Sequence, residues 1–308
     1  MIFWAALALL ALWGGTALWV HYRTPGLVLL LLAGVGVAAL RLMALPAWPA
    51  LAALTLALLL WFFLWLRPRL DRDWAPDVSR IVTGEAQGDL VTLHDIRTFH
   101  WTSETEAEPA WRSDSYDLSQ ITGADLFTSV WGNPKIAHLL LSFAFADGRR
   151  LVFSVEIRRE RGEVFSSIGG FFRQFELALI AAPEEDILRL RTNLRGEEVR
   201  RYPLTLSPAQ LRKIFLSYLA LGNRLAGQAR FYNTLTANCT TIVWQLVRVG
   251  APEFGWHRSV LLSGLLPDWL HRVGLIEDPA KRGHGVRITP LAQSAPEGAD
   301  YSQVIRPN

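Results

Sequence analysis

The opening of the chain is apolar throughout, and the remainder alternates. Residues 1–66 carry two arginines, Arg23 and Arg41, and no lysine, aspartate or glutamate. Three apolar runs fill this part, at residues 2–20, 27–45 and 48–66. Each is close to the roughly 20 residues a helix needs to cross a bilayer. The connectors at 21–26 and 46–49 are short. Trp19, Tyr22, Trp48, Trp61 and Trp65 stand near the run ends, where amphipathic rings favour the membrane interface. A secretory signal would begin with basic residues, and residues 1–10 have none. A soluble helical hairpin would carry a polar face. The pattern predicts a transmembrane anchor over 1–66 of about three helices, with two as the alternative because Arg41 interrupts the second run.

From residue 67 to about 290 the pattern predicts one water-exposed α+β domain with an antiparallel sheet, followed by a polar, loose tail at 291–308. Short strands are predicted at 89–95 and 97–101, an exposed loop at 102–109, and a turn at Gly132-Asn133-Pro134. Two clear strands follow at 136–145 and 150–157, joined through Asp147-Gly148, which is a hairpin signal. Further strands are predicted at 175–181 and 197–204. Pro183 followed by Glu184, Glu185 and Asp186 starts a helix. Longer helices are predicted at 208–225, behind Ser207, and at 239–249, between Asn238 and Gly250. A short helix is predicted around 265–273.

The hairpin constrains its own turn. Leu139, Leu141, Phe143 and Phe145 alternate with His138 and Ser142, and Leu151, Phe153, Val155 and Ile157 alternate with Ser154 and Glu156. Burying one face fixes register. Joining the two apolar faces places His138, Ser142, Ser154 and Glu156 together, and this requires an odd loop count, such as Asp147-Gly148-Arg149 with a bulge at Gly148. A two-residue loop would put His138 and Glu156 on opposite faces.

The net charge of +3 is modest, and no basic run is interleaved with aromatics as in a nucleic-acid binder. Arg67, Arg69 and Arg72 follow the last apolar run, so the positive-inside rule by itself puts the domain in the cytoplasm. A single cysteine excludes an intramolecular disulfide and a cysteine zinc cluster. That residue, Cys239, follows the N-cap Asn238 and therefore sits in the first turn of its helix. Free N–H groups and the helix dipole there favour an anion, which lowers a thiol pKa and suits an oxyanion. The alternative is a small residue packed under the turn. A base is available among His21, His94, His100, His138, His257, His271 and His284. His138 is favoured because Glu156 shares its face and is placed to orient the ring; His94 is the reserve. Each also has a purely structural reading, as a satisfied strand histidine or a solvated charge.

Several segments then resemble a known family. They include residues 73–77, 91–97, Trp131-Gly132-Asn133-Pro134-Lys135-Ile136-Ala137-His138, Ser154-Val155-Glu156-Ile157-Arg158, residues 170–177, Leu190-Arg191-Thr192-Asn193, and Phe231-Tyr232-Asn233 through Asn238-Cys239-Thr240-Thr241. Together they resemble the periplasmic domain of the bacterial lipoprotein N-acyltransferase Lnb and of related membrane proteins. The resemblance implies a permuted papain-like (NlpC/P60-like) thiol fold, similar to the lecithin:retinol acyltransferase group. It implies Cys239 as nucleophile, His138 as base and Glu156 as orienter. Asn238, Thr240, Tyr232, Arg173 and Ser142 are the supporting candidates, with Arg173 facing a lipid phosphate or simply Glu176. The implied reaction moves an acyl chain from a membrane phospholipid to the N-terminal amine of a diacylated lipoprotein, without metal or cofactor. A membrane-anchored thiol hydrolase and a non-catalytic envelope binding protein are the alternatives. The implied location is the bacterial inner membrane with the domain in the periplasm, against the arginine flank.

Overall fold

A computed structural model describes residues 1–277, 285–296 and 298–306; His284 lies outside them. The apolar N-terminus forms α1 (Ile2–Leu42) and α2 (Ala47–Leu60), the latter continued by a π-helical turn, Trp61–Trp65. Both are long and apolar enough to cross a membrane. The first is not straight. Arg23 leaves the helical region (φ 55°, ψ −140°) and Pro25 follows in the first turn beyond it, a position where its missing N–H costs little. The halves fold back on each other, because the Arg41 guanidinium lies over the Phe3 ring, 5.8 Å from its centre. Phe3 also meets Trp48 edge-on, and Trp61 Nε1 donates to the Tyr22 hydroxyl at 3.1 Å. The three apolar runs are thus three helical segments in up-down-up order, and the domain emerges on the side of the Arg23 turn.

The domain begins with β1 (Thr83–Gln87), β2 (Leu90–Arg97), a small ladder of β3 (His100–Trp101) and β4 (Ala107–Glu108), and β5 (Trp111–Asp117). Then come β6 (Ile121–Val130), β7 (His138–Phe145), β8 (Arg150–Arg158), α3 (Ser167–Phe171) and β9 (Glu176–Ala182). The chain continues through α4 (Glu184–Arg189), β10 (Glu198–Pro203), α5 (Pro208–Gly227) and α6 (Cys239–Gly250). It closes with α7 (Leu266–Arg272), β11 (Val286–Arg287), α8 (Ile288–Gln293) and α9 (Tyr301–Val304). The main sheet has the order β11-β10-β6-β7-β8-β9, and β1-β2-β5 form a second sheet. Every pairing between named strands is antiparallel, so the α+β class with an antiparallel sheet holds.

The β7–β8 hairpin pairs Leu141 with Phe153 and Phe143 with Leu151, which joins the two apolar faces as alternation requires. The loop is odd, as expected, but displaced by one residue. Phe145 and Arg149 close it, with Phe145 N–H donating to Arg149 O at 3.0 Å. The three residues between them, Ala146-Asp147-Gly148, end at Gly148 with φ +86°, the left-handed residue of a three-residue hairpin loop. Helices α5 and α6 cover the apolar face. There Phe153 stacks on Tyr218 at 4.9 Å, and Phe143 and Phe153 both meet Phe215 edge-on.

The C-terminal stretch is packed rather than loose. Tyr301 and Ile305 are buried, and the Arg306 guanidinium donates to Asp125 Oδ2 and Glu184 Oε2, each at 2.7 Å. Ion-pair partners far upstream hold a segment whose own composition is polar.

Candidate functional site

Asn238 stops the chain entering α6 as an N-cap: its side-chain carbonyl accepts from the N–H of Thr240 and of Thr241, both at 2.9 Å. Its amide donates to Thr234 O at 2.6 Å, and the Thr241 hydroxyl returns to the Asn238 N–H at 2.9 Å. The cap therefore uses two of the helix-start donors that the sequence offered to an anion. The Cys239 N–H is not among its bonds. Cys239 itself is partly exposed.

His138 starts β7 opposite Ser129 of β6. The β7–β8 ladder ends at Leu140–Ser154, while the neighbouring β8–β9 ladder runs on to Arg158–Glu176. Beyond that end, the Leu139 backbone and the His138 ring lie beside Cys239, and both lower the pKa of its thiol. One ring nitrogen is engaged by β8: His138 Nε2 lies 2.8 Å from Ser154 Oγ and 3.2 Å from Glu156 Oε1. Ser154 gives its hydroxyl proton to Glu156 Oε1 at 2.7 Å, so it accepts from Nε2–H. This network assigns a ring proton to Nε2 and leaves Nδ1 unclaimed by it, available to the thiol.

The carboxylate is anchored from behind. Arg191 Nη2 donates to Glu156 Oε1 at 3.1 Å and Nη1 to Glu197 Oε2 at 3.2 Å, and Ser129 Oγ donates to Glu197. Arg191 and Ser154 were not assigned a role from the sequence. Ser154 was legible on the shared face, whereas Arg191 sits on a π-helical turn, Leu190–Leu194, whose contact with Glu156 spans 35 residues.

The electrostatics follow from these contacts. Burial by itself would drive the His138 ring neutral, but the Glu156 carboxylate and the thiolate outweigh it, and its pKa rises to about 9. Burial also opposes the thiolate, yet the charge and hydrogen bond of His138, with the Leu139 N–H and the Thr240 hydroxyl, lower the Cys239 pKa. Against the same desolvation, His138, Arg191 and the Ser154 hydroxyl hold Glu156 well below the usual carboxylate range. The arrangement favours a thiolate beside an imidazolium that a carboxylate orients, which is a nucleophile with a built-in proton donor.

The supporting candidates divide. Thr240 Oγ1 lies 3.9 Å from the sulfur, and Tyr232 is buried close by, its phenol pKa raised by burial and by the charges of Cys239 and Glu156. Gly170 lets α3 approach that tyrosine: a Cβ there would lie 2.6 Å from the Thr234 hydroxyl oxygen and 2.9 Å from the Tyr232 ring. Ser142 shares the face of His138 but donates to Glu184 Oε1 at 2.6 Å, in the separate Arg306 cluster. Arg173 does not pair with Glu176. It donates to Phe62 O at 2.7 Å and lies over the rings of Phe62, Phe63 and Phe231, while Glu176 accepts from the Arg69 N–H and pairs with Arg72. His94 bonds Ser113 and Glu85 on the second sheet. A small apolar cavity lies under the first turns of α6, with Leu139, Thr240, Val243, Trp244 and Leu266 among its walls; Cys239 is not one of them. Among the described residues no group of three histidine, cysteine, aspartate or glutamate side chains is placed to hold a metal.

Fold and site thus define a class: a membrane-anchored α+β protein with a cysteine–histidine–carboxylate cluster on its water-exposed domain. Residues 107–272 match the family described as the Lnb N-terminal periplasmic domain, more than half of the chain, and the chain belongs to that family. The matched stretch contains His138, Glu156, Arg191 and Cys239. The protein is therefore a membrane protein of Lnb type with a periplasmic domain. No curated protein and no solved structure matches the chain.

Proposed function

We propose that the chain is a cysteine acyltransferase of the bacterial inner membrane. In this reading residues 67–290 form a permuted papain-like domain that moves an acyl chain from a phospholipid to the N-terminal amine of a diacylated lipoprotein. The observation that carries it is the assembled cluster: a partly exposed thiol with a lowered pKa, beside a histidine that Ser154, Glu156 and Arg191 hold in one orientation. Its position supports a lipid substrate. Asn238 bonds Thr234, Thr234 bonds Ser167 of α3, and Phe172, the residue after α3, packs on Phe62 and Trp13 of the membrane helices.

The steps balance without a cofactor. The Cys239 thiolate attacks the ester carbonyl of the lipid, and the Cys239 N–H faces the developing oxyanion. The C–O bond breaks, His138 protonates the departing lysophospholipid oxygen, and a thioester remains on Cys239. The acceptor amine then attacks the thioester, gives its proton to His138, and expels the thiolate as the amide forms. Water in place of the amine gives the hydrolase alternative.

The test is intact mass spectrometry of the full chain in phospholipid micelles. An acyl adduct is expected on the native protein and absent from Cys239→Ala and His138→Ala. A native protein that stays unacylated while its thiol resists alkylation would overturn the thioester reading. An adduct that an added lipopeptide amine does not discharge as amide would overturn transfer in favour of hydrolysis.

A further inference from the structure

The segment leading into and through α3 has its apolar side turned outward. Val164, Phe165, Ile168 and Phe171 recur at helical spacing and are all exposed, Val164 at 79% and Ile168 at 53%. A helix on a soluble domain buries such a face and turns polar residues outward. Here the inward positions are already taken, because Gly169 and Gly170 lie against Gln174, Tyr232 and Thr234 and Phe172 is buried. The apolar face is therefore surplus to the packing of the domain. Leu235, 50% exposed, lies on the adjoining loop, which is tied to α3 by the Thr234 hydroxyl donating to Ser167 O at 2.8 Å. Exposed apolar side chains grouped in this way mark a contact surface rather than the scatter ordinary on a protein exterior.

What covers the surface follows from its attachment. Phe172, the residue after α3, packs on Phe62 and Trp13, and its carbonyl bonds His21 Nε2 at 2.8 Å. Arg173 bonds the backbone of Phe62 at the end of the last apolar helix. The patch is thus continuous with the membrane-spanning helices at the end where the domain emerges. Arg67 and Arg173 stand at the same junction, as cations do beside anionic head groups.

From this continuity we infer that Val164–Phe171 and Leu235 are seated in the head-group and upper acyl region of the bilayer that holds α1 and α2, so that the α3 side of the Cys239 cluster, where Gly170 meets Tyr232, faces lipid. The inference depends on the membrane anchoring and the exposed face, not on any reaction at the thiol.

A variant with no thiol chemistry tests it. In a Cys239→Ser background, single labelling sites Ile168→Cys, Leu235→Cys and, on the second sheet, the exposed Leu90→Cys would carry an environment-sensitive fluorophore. The full chain would be reconstituted into vesicles of phosphatidylethanolamine and phosphatidylglycerol. Blue-shifted emission at 168 and 235, quenched by lipids spin-labelled near the head group, is expected, with water-like and unquenched emission at 90. Emission at 168 and 235 equal to that at 90 would overturn the inference. A blue shift that spin-labelled lipid leaves unquenched would overturn it as well, since protein would then cover the face.

Discussion

Strands β7 and β8 present two faces built from alternate residues of the same two strands, and the faces behave as different materials. On one, Leu139, Leu141, Phe143, Leu151, Phe153 and Val155 are buried against α5 and α6 with no polar side chain among them. On the other, His138, Ser142, Ser154 and Glu156 meet two charged groups, one through Arg191 to Glu197 and one through Glu184 and Arg306 to Asp125. The first face gains by leaving water. The second loses hydration and recovers it only if each partner is in place. A sheet can therefore draw stability from one side and orient a reactive group with the other, and the two functions should fail differently when disturbed.

The largest expected separation is on the apolar side. Phe153→Ala removes a ring stacked on Tyr218 and should lower stability by about 3–5 kcal/mol. Denaturant unfolding in detergent micelles measures this, and a loss no larger than that of a surface substitution would erase the distinction between the faces. Arg191→Met is the counterpart on the polar side. It leaves Glu156 and Glu197 without their shared cation, so a similar loss of about 3–5 kcal/mol is expected. Unlike Phe153→Ala, it should also change the rate at which the surviving folded fraction reacts with iodoacetamide.

Glu156→Gln sharpens the comparison without emptying the site. The imidazolium of His138 is present below about pH 9 and is lost as pH rises through that value. Acylation should accordingly fall on the alkaline side near pH 9 in the native protein. The raised pKa also contributes stability that is fully present below 6.5, the ordinary histidine value, and disappears as pH rises through about 9. Removing the carboxylate charge should move the alkaline limb down by roughly one to three pH units. A pH–rate profile that does not move would mean Glu156 does not set the charge of His138. The smallest effect is expected at the helix start: Asn238→Ala loses the cap and should cost about 1 kcal/mol, read as a small shift in the unfolding midpoint of the domain.

Much of this was legible before any coordinates. The alternation of large apolar residues with His138, Ser142, Ser154 and Glu156 in 136–145 and 150–157 determined the register and grouped His138 with Glu156, because one pairing buries both apolar rows. The N-cap Asn238 and the helix behind it placed Cys239. Other parts were not legible, for identifiable reasons. β1 (Thr-Gly-Glu-Ala-Gln) is half exposed and β5 (Trp111–Asp117) mostly half-buried, and both are mixed in composition, so they carry no period-two signal. The roles of Arg191 and Arg306 depend on partners 35 and 181 residues away, and no local pattern reports such distances. That Arg173 bonds the backbone of Phe62 rather than pairing with Glu176 has the same cause.

The bond between Arg173 and Phe62, with Phe172 lodged on the membrane helices, ties the domain to the bilayer rather than letting it drift on a flexible leash. For a donor that is itself a lipid, the relevant abundance is then a mole fraction in the membrane plane and not a concentration in the surrounding volume. Diluting the donor with inert lipid would slow such an enzyme, whereas diluting the vesicle suspension would leave its turnover unchanged.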